Sequence, residues 1–219
     1  MNTVIGLALI TALLGYTFML PVLDRLPAWV GWEDERGAIS SVQHSKVARL
    51  IFCGLVAAAP VLVAYSFGAS GAWWWALVVF FVGMTAIAWI DLIEHIVPEV
   101  ISIPLLLLGI CFTPMADLRS SILGAVVGGL FTLGTMFLMA KAKKVDLVAG
   151  GDVMLSALGG AWFGFENVFF FVCLTNLFFL PMAALNRYFT REEGFAMAPA
   201  YLLGAYTLLA MHSFYPIFS

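Results

Sequence analysis

Eight apolar stretches occupy most of this chain, and each is long enough, or nearly so, for a helix across a hydrocarbon layer about 30 Å thick. A bilayer offers no water to backbone groups, and a helix satisfies those groups within itself. Hydrophobic residues make up 63% of the 219 residues and charged residues only 11%, a composition far from that of soluble domains. We therefore expect an all-α polytopic membrane protein, a bundle of about eight transmembrane helices surrounded by the lipid bilayer. The predicted spans are 3–22, 48–68, 73–90, 97–112, 120–140, 153–165, 168–185 and 199–218.

Basic residues predict the orientation of this bundle. Of the ten Lys and Arg residues, nine lie in or beside the loops that follow the odd-numbered spans, and only Arg119 lies on the other side. Loops rich in Lys and Arg are usually cytoplasmic, so we expect the amino terminus outside the membrane. No second domain is visible, and residues 1–219 are predicted to form a single transmembrane domain, with 24–48 as a short cytoplasmic loop. The net charge of −3 argues against a nucleic-acid partner.

Two carboxylates fall at the same predicted membrane face. Asp91 follows the third span and Asp152 precedes the sixth. Ionisable groups at membrane depth are costly and usually indicate a functional site or an ion pair. The alternatives are a hydrated interfacial acid and, for Asp152, a cap on the helix that it opens. Gly150 and Gly151 precede Asp152, and residues without Cβ let backbone and substrate approach closely.

Two adjacent carboxylates can perform general acid and base catalysis on a bound water. Like charges a few ångströms apart cannot easily both ionise, so one acid keeps its proton while the other accepts one from water. This chemistry requires neither a metal nor a cofactor, and we expect none.

The stretch "AGGDVMLSALGGAWFG" resembles the second signature block of the type IV prepilin peptidases. That block reads glycine, any residue, glycine, aspartate, then a helix of small residues ending in alanine, tryptophan, any residue, glycine. The stretch "DLIEHIVPEVISIPLLLLG" is similar to the first block, an aspartate followed seven positions later by proline and an acid. The matching residues are Gly151, Asp152, Gly160, Ala161, Trp162 and Gly164 in one block, and Asp91, Pro98, Glu99, Ile103, Pro104 and Leu105 in the other. Weaker similarity extends to "FMLPVLDRLP" and "APAYLLG".

The resemblance implies an aspartic endopeptidase of the bacterial inner membrane, with Asp91 and Asp152 as catalytic residues. Its substrates would be prepilins or pseudopilins of type IV pilus or protein secretion systems. It would remove their short basic leaders at the cytoplasmic face, cutting after a glycine. Gly150 and Gly151 would then lie against the substrate, and Glu94 and Glu99 would attract the leader's lysines or be solvated loop acids.

The sequence departs from the family pattern at several positions. Ala149 replaces the first glycine of the motif, Met154 replaces a frequent lysine, and Glu99 stands where aspartate is usual. Many members carry two zinc-binding cysteine pairs after the first span, associated with methylating the new amino terminus. Here the three cysteines, Cys53, Cys111 and Cys173, lie singly within spans and are predicted to pack as small apolar residues. We therefore expect a short form without zinc, whose methyltransferase activity is absent or degenerate.

His95, four positions after Asp91, would influence that acid, contact substrate, or extend as a polar side chain to the membrane interface. Gly124 and Gly128 have the spacing for close helix packing. The rival functions are a small transporter coupled to protons or cations, which would place acids near the midplane and repeat its broken spans, and a membrane scaffold. The acids lie near one predicted face and no repeat is visible, which disfavours a transporter, and a scaffold would explain the apolar bundle but not the two acid blocks.

Overall fold

The computed structural model describes residues 2–23, 25, 46–67, 72–143, 150–189 and 196–214. Eight helical segments and no strand are found in these ranges, so the all-α prediction is confirmed. Segment α1, Asn2–Leu14, continues into a π-helical turn, Gly15–Met19. The others are α2 Lys46–Phe67, α3 Ala72–Glu94, α4 Glu99–Phe112, α5 Leu118–Lys143, α6 Gly150–Phe163, α7 Phe165–Phe189 and α8 Ala198–Phe214. Four of them, α2, α3, α5 and α7, are long and apolar enough to cross a membrane.

Helix α3 lies at the centre of the bundle. It packs against α2, α4 and α8, and most of its side chains are buried, the exceptions including Trp75 and Val79 near its start. Leu77, Phe80, Phe81, Met84 and Ile87 are completely buried. A helix that is apolar all round is stable in such a position, because most of its surface meets other helices. Asp91 is carried at the end of this central helix.

Two helix boundaries differ from the sequence prediction in a way that affects the acids. Helix α3 continues beyond position 90 to Glu94, so Asp91 is helical. His95 then turns the chain with a positive φ of 55°, and its N–H donates to the Asp91 carbonyl over 2.9 Å. Helix α6 begins at Gly150, not 153, so Gly150, Gly151 and Asp152 form its first turn. Asp152 is thus inside the helix and is not the residue that caps it.

Glycines bring α5 and α6 into backbone contact. A Cβ built on Gly124 would lie 2.3 Å from the Gly160 carbonyl oxygen, and one on Gly128 would lie 2.5 Å from the Ser156 carbonyl oxygen. Only glycine allows helix axes to approach this closely. The predicted packing role of Gly124 and Gly128 is confirmed, and their partner is the helix that carries Asp152.

The end of α6 is held by its tryptophan. Trp162 is completely buried, stacks on Phe80 with ring centroids 4.6 Å apart, and donates its Nε1–H to the Leu105 carbonyl over 2.9 Å. Gly109 lies directly under the indole, since a Cβ there would come within 2.7 Å of it. Gly164 follows with φ +80°, a left-handed conformation that suits glycine, and separates α6 from α7. The tryptophan-to-glycine part of the motif therefore fixes α6 against α3 and α4.

The cysteine prediction holds for one residue of three. Cys53 is buried, whereas Cys111 and Cys173 are exposed on the outside of the bundle. Both exposed thiols lie on apolar helices, where a small apolar side chain is as compatible with lipid as with a protein core. Most of the predicted loop 24–48 and Ala149 lie outside the described residues.

Candidate active site

Asp91 docks the last helix onto the central one. Its side chain is only 6% exposed, and Oδ2 accepts the backbone N–H of Ala198 over 2.8 Å, with the Met197 N–H as a further donor. The first N–H groups of a helix have no partner within that helix. A carboxylate supplied by α3 satisfies them at the start of α8. The contact joins residues 107 positions apart.

Asp152 lies in the first turn of α6 and is half-buried. Its carboxylate interacts electrostatically with that of Asp91, so the bundle brings the two acids to one site. The α3–α4 connection lies beside them, because Val97 contacts Gly151. Two carboxylates in one partly buried site can share a proton and act together on a water molecule.

A chain of hydrogen-bonded hydroxyl groups ends at the backbone carbonyl of Asp152, and no sequence pattern predicted it. Thr132 Oγ1 donates to Ser156 Oγ over 2.6 Å, and Ser156 Oγ lies 2.6 Å from the Tyr201 hydroxyl. That hydroxyl donates in turn to the Asp152 carbonyl oxygen over 3.3 Å. Ser156 follows Asp152 by four positions, so helical spacing placed both on one face of α6. Nothing in the sequence indicated that Tyr201 would complete the chain.

The two glycines of the motif have different surroundings. A Cβ on Gly151 would lie 2.7 Å from Val97 Cγ2, whereas one on Gly150 would meet nothing within 4 Å. Close approach is therefore required at Gly151, and the group that approaches is the α3–α4 connection. Whether either glycine also lies against substrate stays a prediction.

Replacing Gly151 by Ala is expected to lower the melting temperature in detergent, because the new methyl group must displace Val97. Gly150→Ala should melt at or above the wild-type temperature, since alanine favours a helix over glycine by about 1 kcal/mol and has open space here. Adding Val97→Ala to Gly151→Ala should restore much of the loss. Equal melting of the two single variants would contradict this account of the motif.

The other residues predicted for the site, Glu94, Glu99 and His95, lie in or next to the α3–α4 connection. Glu94 is half-buried at the end of α3, and Glu99 is exposed at the start of α4. His95 is exposed and interacts electrostatically with Asp91, and whether it also contacts substrate stays a prediction. The substrate-binding roles of Glu94 and Glu99 stay predictions. Within the described ranges, no group of three or more His, Cys, Asp and Glu residues could hold a metal ion.

An apolar cavity of about 270 Å³ opens beside the site between α2, α3, α7 and α8. Ala88, Trp89 and Leu92 line it from the part of α3 that carries Asp91, and Pro199 lines it next to Ala198. Apart from Thr85, the lining side chains are hydrophobic. The site therefore combines paired acids with an adjoining apolar space.

Comparison with known proteins gives a consistent result. Residues 78–185, about half of the chain, match the sequence profile of the type IV leader peptidase family. A prepilin leader peptidase/N-methyltransferase of Burkholderia pseudomallei, in strains 1026b and K96243, is 33% identical over 105 residues, which cover 46% of this chain and 33% of that protein. The protein of the same name from Stutzerimonas stutzeri is 29% identical over 157 residues, which cover 65% of this chain and 52% of its own length. No solved structure shows significant similarity.

The matches thus span between a third and about half of the length of these relatives. The segment shared with the family begins within α3 and ends within α7, and it contains both Asp91 and Asp152 as well as Trp162. Through this segment the chain belongs to the type IV leader peptidase family.

Proposed function

We propose that this protein is a membrane aspartic endopeptidase that removes the basic leader from prepilins or pseudopilins, cutting after a glycine at the cytoplasmic face of the bacterial inner membrane. The observation that carries the proposal is that Asp91 and Asp152 lie close enough for their like charges to act on each other, within the segment that matches the family. Family membership also favours a peptidase over the proton- or cation-coupled transporter.

In the proposed reaction, one carboxylate takes a proton from a water molecule as its oxygen attacks the carbonyl carbon of the scissile bond. The other acid, still protonated, donates to the carbonyl oxygen and stabilises the tetrahedral intermediate. When the intermediate, a gem-diol, collapses, the C–N bond breaks and the departing amine receives the proton taken from water, while one hydroxyl group of the diol returns a proton to the second acid as the carbonyl re-forms. The products are a leader ending in a carboxylate and a pilin with a free amino terminus. No covalent intermediate is formed, and the protein supplies only the two acids and their positions.

The surroundings of the acids support this class of substrate. The apolar cavity, lined by Leu92 next to Asp91 in the chain, can receive an apolar side chain of the hydrophobic helix that follows the leader in a prepilin. Glu94 at the end of α3 and Glu99, exposed at the start of α4, supply negative charge at the two ends of the α3–α4 connection, where a basic leader would lie. The proposal is confined to peptide cleavage, because the chain has only three cysteines and no pairs of the kind associated with methyl transfer.

The test is to reconstitute the full chain in liposomes with a synthetic prepilin that carries a lysine-containing leader, a glycine at the junction and an apolar helix. Mass spectrometry of the products identifies the bond that is cut. Cleavage after the glycine, lost in variants of the paired acids, would support the proposal. Absence of cleavage by the wild-type chain, or cleavage independent of both acids, would overturn it.

Glu99→Gln is expected to raise KM for this peptide about twofold at low salt and to leave kcat unchanged, because an exposed charge contributes little and acts at a distance. The difference should disappear at high salt, since salt screens exposed charges. A peptide whose leader lysines are replaced by glutamine is the matched control, and its KM should be the same with both enzymes. A salt-independent effect, or an equal effect on the neutral leader, would rule out electrostatic attraction by Glu99.

A further inference from the structure

One turn of α8 contacts both acids. Ala198 donates its backbone N–H to the Asp91 side chain, and Tyr201, three residues later, donates its hydroxyl to the Asp152 backbone. Residues three apart lie on the same face of a helix. The Tyr201 hydroxyl also lies within electrostatic range of the Asp152 carboxylate. The start of α8 therefore lies between the two helices that carry the acids.

We propose that Tyr201 is a positioning residue that holds Asp152 at the distance from Asp91 that catalysis requires. Helix α8 contacts both acids and so sets their relative position. This inference rests on the proposed peptidase function, since it assigns Tyr201 a part in that site. Tyr201 does not itself take or give a proton in the reaction. It acts through the backbone of the first turn of α6.

The donors and acceptors of the hydroxyl chain agree with this role. Ser156 Oγ accepts from Thr132, which leaves the Ser156 proton free to be donated to Tyr201. Tyr201 then accepts one hydrogen bond and keeps its own proton for the Asp152 carbonyl. All three side chains are buried. Ser156 is completely buried, and Tyr201 has only 2% of its surface exposed. Buried hydroxyl groups that are fully paired have fixed orientations, so this chain defines one position for the turn.

The hydrogen bond from Tyr201 stabilises the first turn of α6, which carries Asp152. That turn opens with Gly150 and Gly151, and glycine loses more conformational freedom than any other residue when it becomes helical. The first turn of a helix is also where fraying occurs. A small displacement of a catalytic group has a large effect on rate, because the reacting atoms must be aligned before the reaction. The hydroxyl chain opposes that displacement.

Tyr206 provides a matched control on the same helix. It is also buried, and its hydroxyl also donates to a backbone carbonyl, that of Leu55 on α2, over 2.7 Å. It makes no contact with Asp91 or Asp152 among the described interactions. Tyr201→Phe and Tyr206→Phe therefore remove the same group from similar environments, and only the first removes a contact with the candidate site.

The experiment compares the two variants in the reconstituted full chain. Tyr201→Phe is expected to lower kcat roughly five- to tenfold, about the factor that the loss of one hydrogen bond produces, with KM little changed. Its profile of kcat against pH should also shift relative to the wild type, because the geometry of the acid pair has altered. Tyr206→Phe should keep the wild-type kcat and pH profile even if it melts at a lower temperature. Ser156→Ala, which removes the group that orients Tyr201, should change kcat in the same direction as Tyr201→Phe.

A second measurement does not depend on cleavage. The rate at which a water-soluble carbodiimide labels Asp152, followed by peptide mapping across a range of pH, reports the environment of that carboxylate directly. Tyr201→Phe should alter this profile and Tyr206→Phe should not. If the wild type cleaves and requires Asp152, but both variants match it in kcat and in labelling, the positioning role is wrong and the proposed function stands. If no prepilin is cleaved, the proposed function fails, and an altered labelling profile in Tyr201→Phe alone would still support the positioning of Asp152.

Discussion

Replacing either Asp91 or Asp152 by Asn is expected to reduce prepilin cleavage roughly 10²- to 10⁴-fold, the range that loss of a general acid or base produces. Each acid has a separate proton-transfer role in the proposed reaction, and an amide cannot take a proton from water or give one to an amine. The double variant should be scarcely worse than either single variant, because residues that act as a unit are not additive. The measurement is the initial rate of product formation in liposomes, normalised to the amount of folded enzyme.

Asn is the suitable replacement because it preserves the packing. At position 91 the amide oxygen can still accept the Ala198 N–H, so α8 should remain docked on α3. The matched control is Asp117→Asn, since Asp117 also binds a backbone N–H, that of Ser120 over 2.7 Å, near the start of α5. Asp117 belongs to no part of the candidate site, and its variant should cleave at the wild-type rate. If Asp91→Asn and Asp152→Asn accumulate and cleave like this control, the two residues are not catalytic.

The largest effect on stability is expected at the crossing of α5 and α6. A Cβ on Gly160 would lie 2.0 Å from the Gly124 carbonyl oxygen. Because that oxygen belongs to the backbone, it cannot move aside by a side-chain rotation. Gly160→Ala must therefore push the helices apart, which we expect to cost about 3 kcal/mol, the upper part of the range for overpacked cores. Thermal melting in detergent and the yield of folded protein measure this loss.

Gly134→Ala is the control for that variant. Gly134 lies on α5 as well, but a Cβ there would meet nothing within 4 Å. This substitution should be neutral or slightly stabilising, because alanine favours the helix over glycine by up to about 1 kcal/mol. Since α6 carries Asp152, Gly160→Ala should also impair cleavage by the protein that remains folded. Wild-type melting of Gly160→Ala would show that the two helices are farther apart than the structure places them.

The sequence alone was sufficient to predict the helical segments and to select the two acids of the candidate site. Apolar length alone indicated eight helical segments, because a bilayer-spanning segment must satisfy its own backbone. The two motif blocks selected Asp91 and Asp152, and the small-residue spacing selected Gly124 and Gly128 for close packing, which the backbone contacts confirm. These inferences depend on residues near one another in the chain, where helical geometry fixes their relation.

The tertiary structure decided which residues meet across the bundle. The Asp91 contact with Ala198 joins residues 107 positions apart, and the hydroxyl chain joins Thr132, Ser156 and Tyr201 from three helices. Spacing within a helix predicts which residues share a face, but it does not say which other helix that face will meet. That choice depends on how all the helices pack at once, and here the glycines of α5 and α6 and the burial of α3 determine it. For this reason the sequence identified the two acids, while only the fold identified the tyrosine between them.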